Sequence, residues 1–118
     1  MKNVIALKSY AFAIRIINLY KLLVQDKKEF VLSKQLLRSG TAIGALIREA
    51  EHAQSKPDFL SKMNVALKEA NETEYWLMLL KDTNYISVIE FTSIANDVSE
   101  IFKVLISIVK TTKTNIKK

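Results

Sequence analysis

One proline and two glycines in 118 residues leave this chain very few ways to turn. Tight turns draw on residues that preset φ or tolerate positive φ. A chain this poor in them is built from long helices joined by short polar breaks. Three such breaks stand out: Asp26-Lys27-Lys28, Ser55-Lys56-Pro57-Asp58 and Asp82-Thr83-Asn84. They divide the chain into predicted helices over about 4–25, 29–54, 57–81 and 88–111, with a frayed basic tail over 112–118. Apolar residues recur at helical spacing in each. Leu32, Leu36, Ile43, Ile47 and Ala50 mark one face of the second helix. Phe59, Met63, Ala66, Leu67, Ala70, Leu77 and Leu80 mark the third, and Ile94, Val98, Ile101, Phe102, Leu105 and Val109 the fourth. Ser55 is placed to cap the third helix, with Pro57 in its first turn. Ser87-Val88-Ile89-Glu90 fits a capping box for the fourth. Helices of these lengths are each roughly 33–39 Å long at 1.5 Å per residue. Matched lengths and short loops predict an all-α fold, an antiparallel up-down-up-down four-helix bundle forming one domain over 1–118.

The first helix is apolar over more of its circumference than a bundle can bury. Its polar residues, Lys8, Arg15, Asn18, Lys21 and Gln25, fall on one stripe, while Leu7, Ile14, Ile17, Leu19, Tyr20 and Leu22 widen the apolar side. That pattern predicts self-association. Gly40 and Gly44 lie inside the second helix, where each glycine costs about 1 kcal/mol against alanine. With Ser39 and Ala42 they make a small-residue face that admits a close backbone, and the expectation is tight packing in the bundle or between subunits. Tyr75 and Trp76 are expected in core or subunit contacts.

Composition narrows the possible functions. Forty-nine per cent hydrophobic residues suffice for a core, and the absence of cysteine removes disulfide and thiolate chemistry. No signal peptide is read at the N-terminus, and no run approaches the roughly 20 apolar residues of a membrane span. A cytoplasmic protein with no membrane role is expected. The net charge of +6 favours acidic partners, nucleic acid first. In an up-down-up-down bundle both termini share one end, so Lys2, Lys8, Lys110, Lys113, Lys117 and Lys118 form the candidate nucleic-acid-binding group.

Catalytic and metal chemistry find little to work with. Glu49-Ala50-Glu51-His52 contains the Glu-x-x-His spacing of di-iron bundles, but such sites need a second histidine and further carboxylates. No metal, no cofactor and no enzymatic activity is expected. Arg38, Glu49, Glu69 and Glu72 are expected in interhelical ion pairs that set register.

Residues 35–86, QLLRSGTAIGALIREAEHAQSKPDFLSKMNVALKEANETEYWLMLLKDTNYI, resemble the bacterial four helix bundle proteins, a family that includes proteins encoded in intervening sequences of 23S ribosomal RNA genes. The resemblance rests on RSGTAIGA, IREA and DFLSKMNVALKEANETEYWLMLL together; Leu46 stands where the family more often has asparagine. It implies an antiparallel bundle assembled into a ring-like homo-oligomer, often a pentamer. It also implies kinship with the basic accessory protein of diversity-generating retroelements, a pentameric barrel that works with a reverse transcriptase and nucleic acid. The family carries no established catalytic activity. The expected function is therefore a non-enzymatic, oligomeric module binding RNA, DNA or a nucleic-acid-processing protein. The alternative is a protein–protein scaffold with no nucleic-acid role.

Overall fold

The computed structural model describes residues 3–117. Four helices run in sequence: α1 (Val4–Gln25), α2 (Leu32–Ala50), α3 (Lys56–Asp82) and α4 (Val88–Lys117). Each touches its sequence neighbours, α1 and α4 close the ring, and the diagonal pairs do not meet. The result is an antiparallel up-down-up-down bundle of about 51 × 24 × 21 Å. One apolar core runs its length, with Phe12, Ile16 and Leu23 from α1, Leu36, Ile43 and Ile47 from α2, Met63 and Leu77 from α3, and Ile101 and Leu105 from α4. Its internal positions repeat every three or four residues, the spacing that keeps one helix face inward.

The helix ends show how the few loops are made. The Asn3 side chain accepts from the amides of Ile5 and Ala6 and starts α1. Ser55 Oγ accepts from the Asp58 amide and starts α3. At α4 the Ser87 hydroxyl accepts from the Glu90 amide while the Glu90 carboxylate accepts from the Ser87 amide, a reciprocal capping box. The end of α3 is closed by Asn84 at φ 71°. There the Tyr85 amide donates to Leu80 O and the Asn84 amide to Lys81 O, a Schellman closure in which asparagine takes the left-handed position.

Two helices differ from the sequence expectation. α2 starts at Leu32 rather than residue 29 and ends at Ala50 rather than 54. Glu29 stays outside the helix and turns its carboxylate onto the amides of Val31, Leu32 and Ser33. After Ala50 the amides of His52 and Ala53 donate three residues back, to Glu49 O and Ala50 O, and the chain tightens into turns. α4 does not fray at 111 but continues as helix to Lys117. Thr112 and Thr114 fold their hydroxyls onto Ile108 O and Lys110 O, and Ile116 borders a depression with Pro57 and Leu60 at the start of α3.

The glycine face packs within the subunit, between α2 and α1. A Cβ on Gly40 would sit 2.8 Å from Ile16 Cγ1 and 2.9 Å from its Cγ2. One on Gly44 would meet Ser9 Oγ at 3.4 Å, an ordinary contact. Gly40 therefore makes room for the Ile16 side chain, while at Gly44, beside a groove between the helices, the Ser9 backbone comes near, its carbonyl oxygen 3.5 Å from that Cβ position.

Candidate functional site

Two surfaces are chemically distinctive: an apolar stripe on the outside of α1 and a row of lysines along α4. On α1 the residues facing the core are Ile5, Ser9, Phe12, Ile16 and Leu23. Diametrically opposite, at spacings of three and four, lie Leu7, Tyr10, Ile14 and Ile17, which are 60%, 65%, 46% and 36% exposed. α1 thus has an apolar face on each side. Beside the stripe, a groove between α1 and α2 is floored by Ala6, Ser9, Ala13, Gly44 and Ala45 and flanked by Arg48 and Glu51. On the other flank Lys8 meets Glu100 at 3.0 Å and Arg15 meets Asp97 at 2.7 Å, so α1 joins α4 through ion pairs. A second, smaller apolar patch lies on the outer side of α3, where Tyr75 and Met78 are exposed one turn apart.

The ion pairs Lys8–Glu100 and Arg15–Asp97 also set the register of α4 against α1. α1 begins at Val4, one turn before Lys8, whereas α4 continues from Glu100 to Lys117. The last turns of α4 therefore run beyond the start of α1 by roughly 20 Å at 1.5 Å per residue. The Asn3 side chain donates to Glu51 at this end, and the start of α3 lies alongside Ile116.

The anticipated basic group is only partly assembled. Lys110, Lys113 and Lys117 are exposed on the projecting part of α4. Lys8 faces Glu100 across the α1–α4 seam, with much of its charge offset. Lys2 and Lys118 lie outside the described residues. Sequence reasoning missed Lys103, which falls on the same face of α4 as Lys110 and Lys117. The signal was the seven-residue spacing of the three, two helical turns each time.

The charged residues of the middle helices form a polar seam between α2 and α3. Arg38 Nη2 lies 2.6 Å from Glu72 Oε2 and 3.2 Å from Glu69 Oε1. Trp76 Nε1 donates to Glu72 Oε2 at 3.0 Å. The indole and then the guanidinium hold the Glu72 carboxyl below its ordinary range. Glu72 and Glu69, in turn, raise the Arg38 pKa. Inside this layer the buried hydroxyls of Ser39 and Thr73 share a hydrogen bond of 3.0 Å. Glu49 pairs not with Arg38 but with Lys62, at 3.8 Å. Tyr75 and Trp76 stack edge to face with centroids 5.1 Å apart. Trp76 is half-buried against the core, so its ring is not an open platform for a base. Among the described residues no three His, Asp or Glu side chains converge as metal ligands, those around Glu49 and His52 included.

A family model described as 23S rRNA-intervening sequence protein matches residues 1–107. The chain belongs to that family. A solved relative, a protein of unknown function from the S23 ribosomal protein family of Bacteroides thetaiotaomicron, superposes with a TM-score of 0.90. It is 64% identical, over 91% of this chain and 99% of its own. No curated protein matches. Among the described residues no helix of this chain is long and apolar enough to cross a membrane. Its family match ends at 107, so the stretch of α4 bearing Lys110, Lys113 and Lys117 lies beyond it.

Proposed function

We propose that this protein is a non-enzymatic, self-assembling bundle that serves as an accessory module for nucleic acid or a nucleoprotein. The observation that carries this reading is the outer stripe of α1. Four large side chains at helical spacing face water on a helix whose opposite side is already in the core. Each such side chain gains about 1.5–3 kcal/mol when fully buried, and a contiguous patch of this kind marks an interaction site.

The position of the second patch supports a ring. α1 and α3 are diagonal in the bundle, so the α1 stripe and the Tyr75–Met78 patch face different ways. Joining two different patches gives a head-to-tail contact, which closes into a ring when the rotation per subunit allows. Five subunits is the number the family resemblance implies. The nucleic-acid part of the reading is supported by the charge of +6, which a ring repeats with every subunit. The α2–α3 seam supports a non-enzymatic role, since Glu72 is held by the Arg38 guanidinium and the Trp76 indole rather than left free for proton transfer.

Static light scattering tests the assembly. A multiple of the 13.5 kDa subunit is expected at micromolar concentration, and Tyr10→Glu with Ile14→Glu is expected to release the monomer. A wild-type chain that remains a 13.5 kDa particle at tens of micromolar rejects the reading.

A further inference from the structure

After Glu100 the sequence carries no acidic residue and five lysines. Lys103, Lys110, Lys113 and Lys117 follow at spacings of seven, three and four, which places them along one face of α4. All four are exposed, and among the described residues none forms an ion pair. They stand on continuous helix, which runs to Lys117 with the Thr112 and Thr114 hydroxyls folded onto Ile108 O and Lys110 O. The row is roughly 21 Å long at 1.5 Å per residue. Like charges held this close repel one another, and a polyanion laid along the row relieves the repulsion. The row is straight, so it offers no cup for a single small anion. Ile106 is the one large apolar side chain between the lysines and it is half-buried, so the face lacks the aromatic and leucine anchors of a membrane-surface helix.

We propose that this lysine face of α4 is where the protein grips the phosphate backbone of nucleic acid. The proposal rests on the nucleic-acid reading above and locates it. Three of the four lysines lie beyond residue 107, where the family match ends. A strand carries a phosphate about every 3.4 Å along a duplex axis, so the row faces about six steps of one strand. Lysine on a helix makes point-charge contacts and reads no bases, so the binding is indifferent to sequence.

The test uses fluorescence anisotropy with a labelled 20-nucleotide oligo(U) and a labelled 20-base-pair DNA duplex, titrated between 50 and 200 mM salt. The variant Lys110→Gln, Lys113→Gln, Lys117→Gln keeps good helix formers in place, and circular dichroism confirms its helix content. Against the full chain it is expected to bind about tenfold or more weakly at 100 mM salt. Its salt slope is expected to flatten by about 0.7 per lost lysine on the single strand and about 0.9 on the duplex. The arm with the larger change identifies the preferred nucleic acid. A charge-matched control, Lys27→Gln, Lys34→Gln, Lys68→Gln, is expected to stay within about twofold of the parent, since these lysines lie off the row. Equal losses in the two triple variants, or an unchanged slope in the α4 variant, overturn the proposal while leaving nucleic-acid binding in place. Phosphatidylserine vesicles bound through these lysines, with nucleic acid bound equally well by the α4 variant, overturn it in favour of a lipid surface. No binding by the full chain at micromolar protein removes the broader reading as well.

Discussion

The two glycines of α2 are alike in sequence and different in consequence. At Gly40 an added methyl meets the branched Ile16 side chain at 2.8–2.9 Å. Ile16 is fully buried and has nowhere to swing. At Gly44 the same methyl meets Ser9 at 3.4 Å and borders an open groove. Alanine gains about 1 kcal/mol of helix propensity at either position, but overpacking at Gly40 costs typically 1–3 kcal/mol. Gly40→Ala is therefore expected to destabilise by up to about 2 kcal/mol, and Gly44→Ala to be neutral or stabilising by up to about 1 kcal/mol. Urea denaturation of the two variants checks the pair; equal effects would show that Ile16 does not fill the space at Gly40. The sequence told that a backbone comes near this face. It did not tell that Gly44 faces the Ser9 backbone and Gly40 the Ile16 side chain, because that depends on the level at which α1 meets α2.

At the scale of the helices, most starts were legible and the exceptions share a cause. Asn3, Ser55 and Ser87 are short polar side chains placed to hold the first amides, and those starts fall where such residues predict. α2 has no such residue. Its start is held by Glu29 from outside the helix, a longer side chain whose three amide contacts depend on how the chain leaves α1 through Lys28 at φ 55°. The end of α4 was misread because TTKTNIKK has weak helix propensity. The helix nevertheless runs on to Lys117, with Ile116 bordering a depression beside Pro57 and Leu60 of α3, a neighbourhood that no window of sequence contains. Glu29 also gives the bundle a pH dependence. Burial raises its pKa, but the amides of Leu32, Ser33 and Val31 outweigh burial and the carboxyl is net lowered. A folded-state pKa below the unfolded one gives stability that is complete above the unfolded value of about 4.3. It is lost as pH falls through the folded-state value. Glu29→Gln places an amide N–H against amide donors and is expected to cost about 1–2 kcal/mol at pH 7. That cost shrinks as pH falls through the lowered folded-state value, where the wild-type carboxyl takes up its proton too. Urea midpoints at pH 7 and pH 3 make the comparison, and a cost that is the same at both rules out the charged cap.

For the whole molecule, the sequence showed that the first helix is too apolar for a lone bundle, yet not where the surplus lies. Only the register of α1 in the bundle separates Phe12 and Ile16, which are buried, from Tyr10 and Ile14, which are not. That register also turns the stripe away from the Tyr75–Met78 patch, and the difference decides what kind of assembly is possible. If the stripe met its own copy about a twofold axis, damaging it would abolish assembly and damaging the α3 patch would change nothing. If stripe meets patch, each subunit has two unlike ends, and either change breaks every contact of that kind. The stripe variant, Tyr10→Glu with Ile14→Glu, keeps a sound α3 patch. A patch variant, Tyr75→Glu with Met78→Glu, keeps a sound stripe. Both are expected to be monomers alone and, when mixed, to form a dimer of twice the subunit mass and nothing larger, because the one sound stripe finds the one sound patch and the other ends are blocked. Light scattering of the 1:1 mixture reads this directly. Higher salt is expected to tighten that dimer, since it screens the repulsion between subunits that stay basic, the parent's net charge of +6 less the two introduced carboxylates, while leaving the apolar contact intact. A patch variant that still assembles like the wild type refutes the head-to-tail contact.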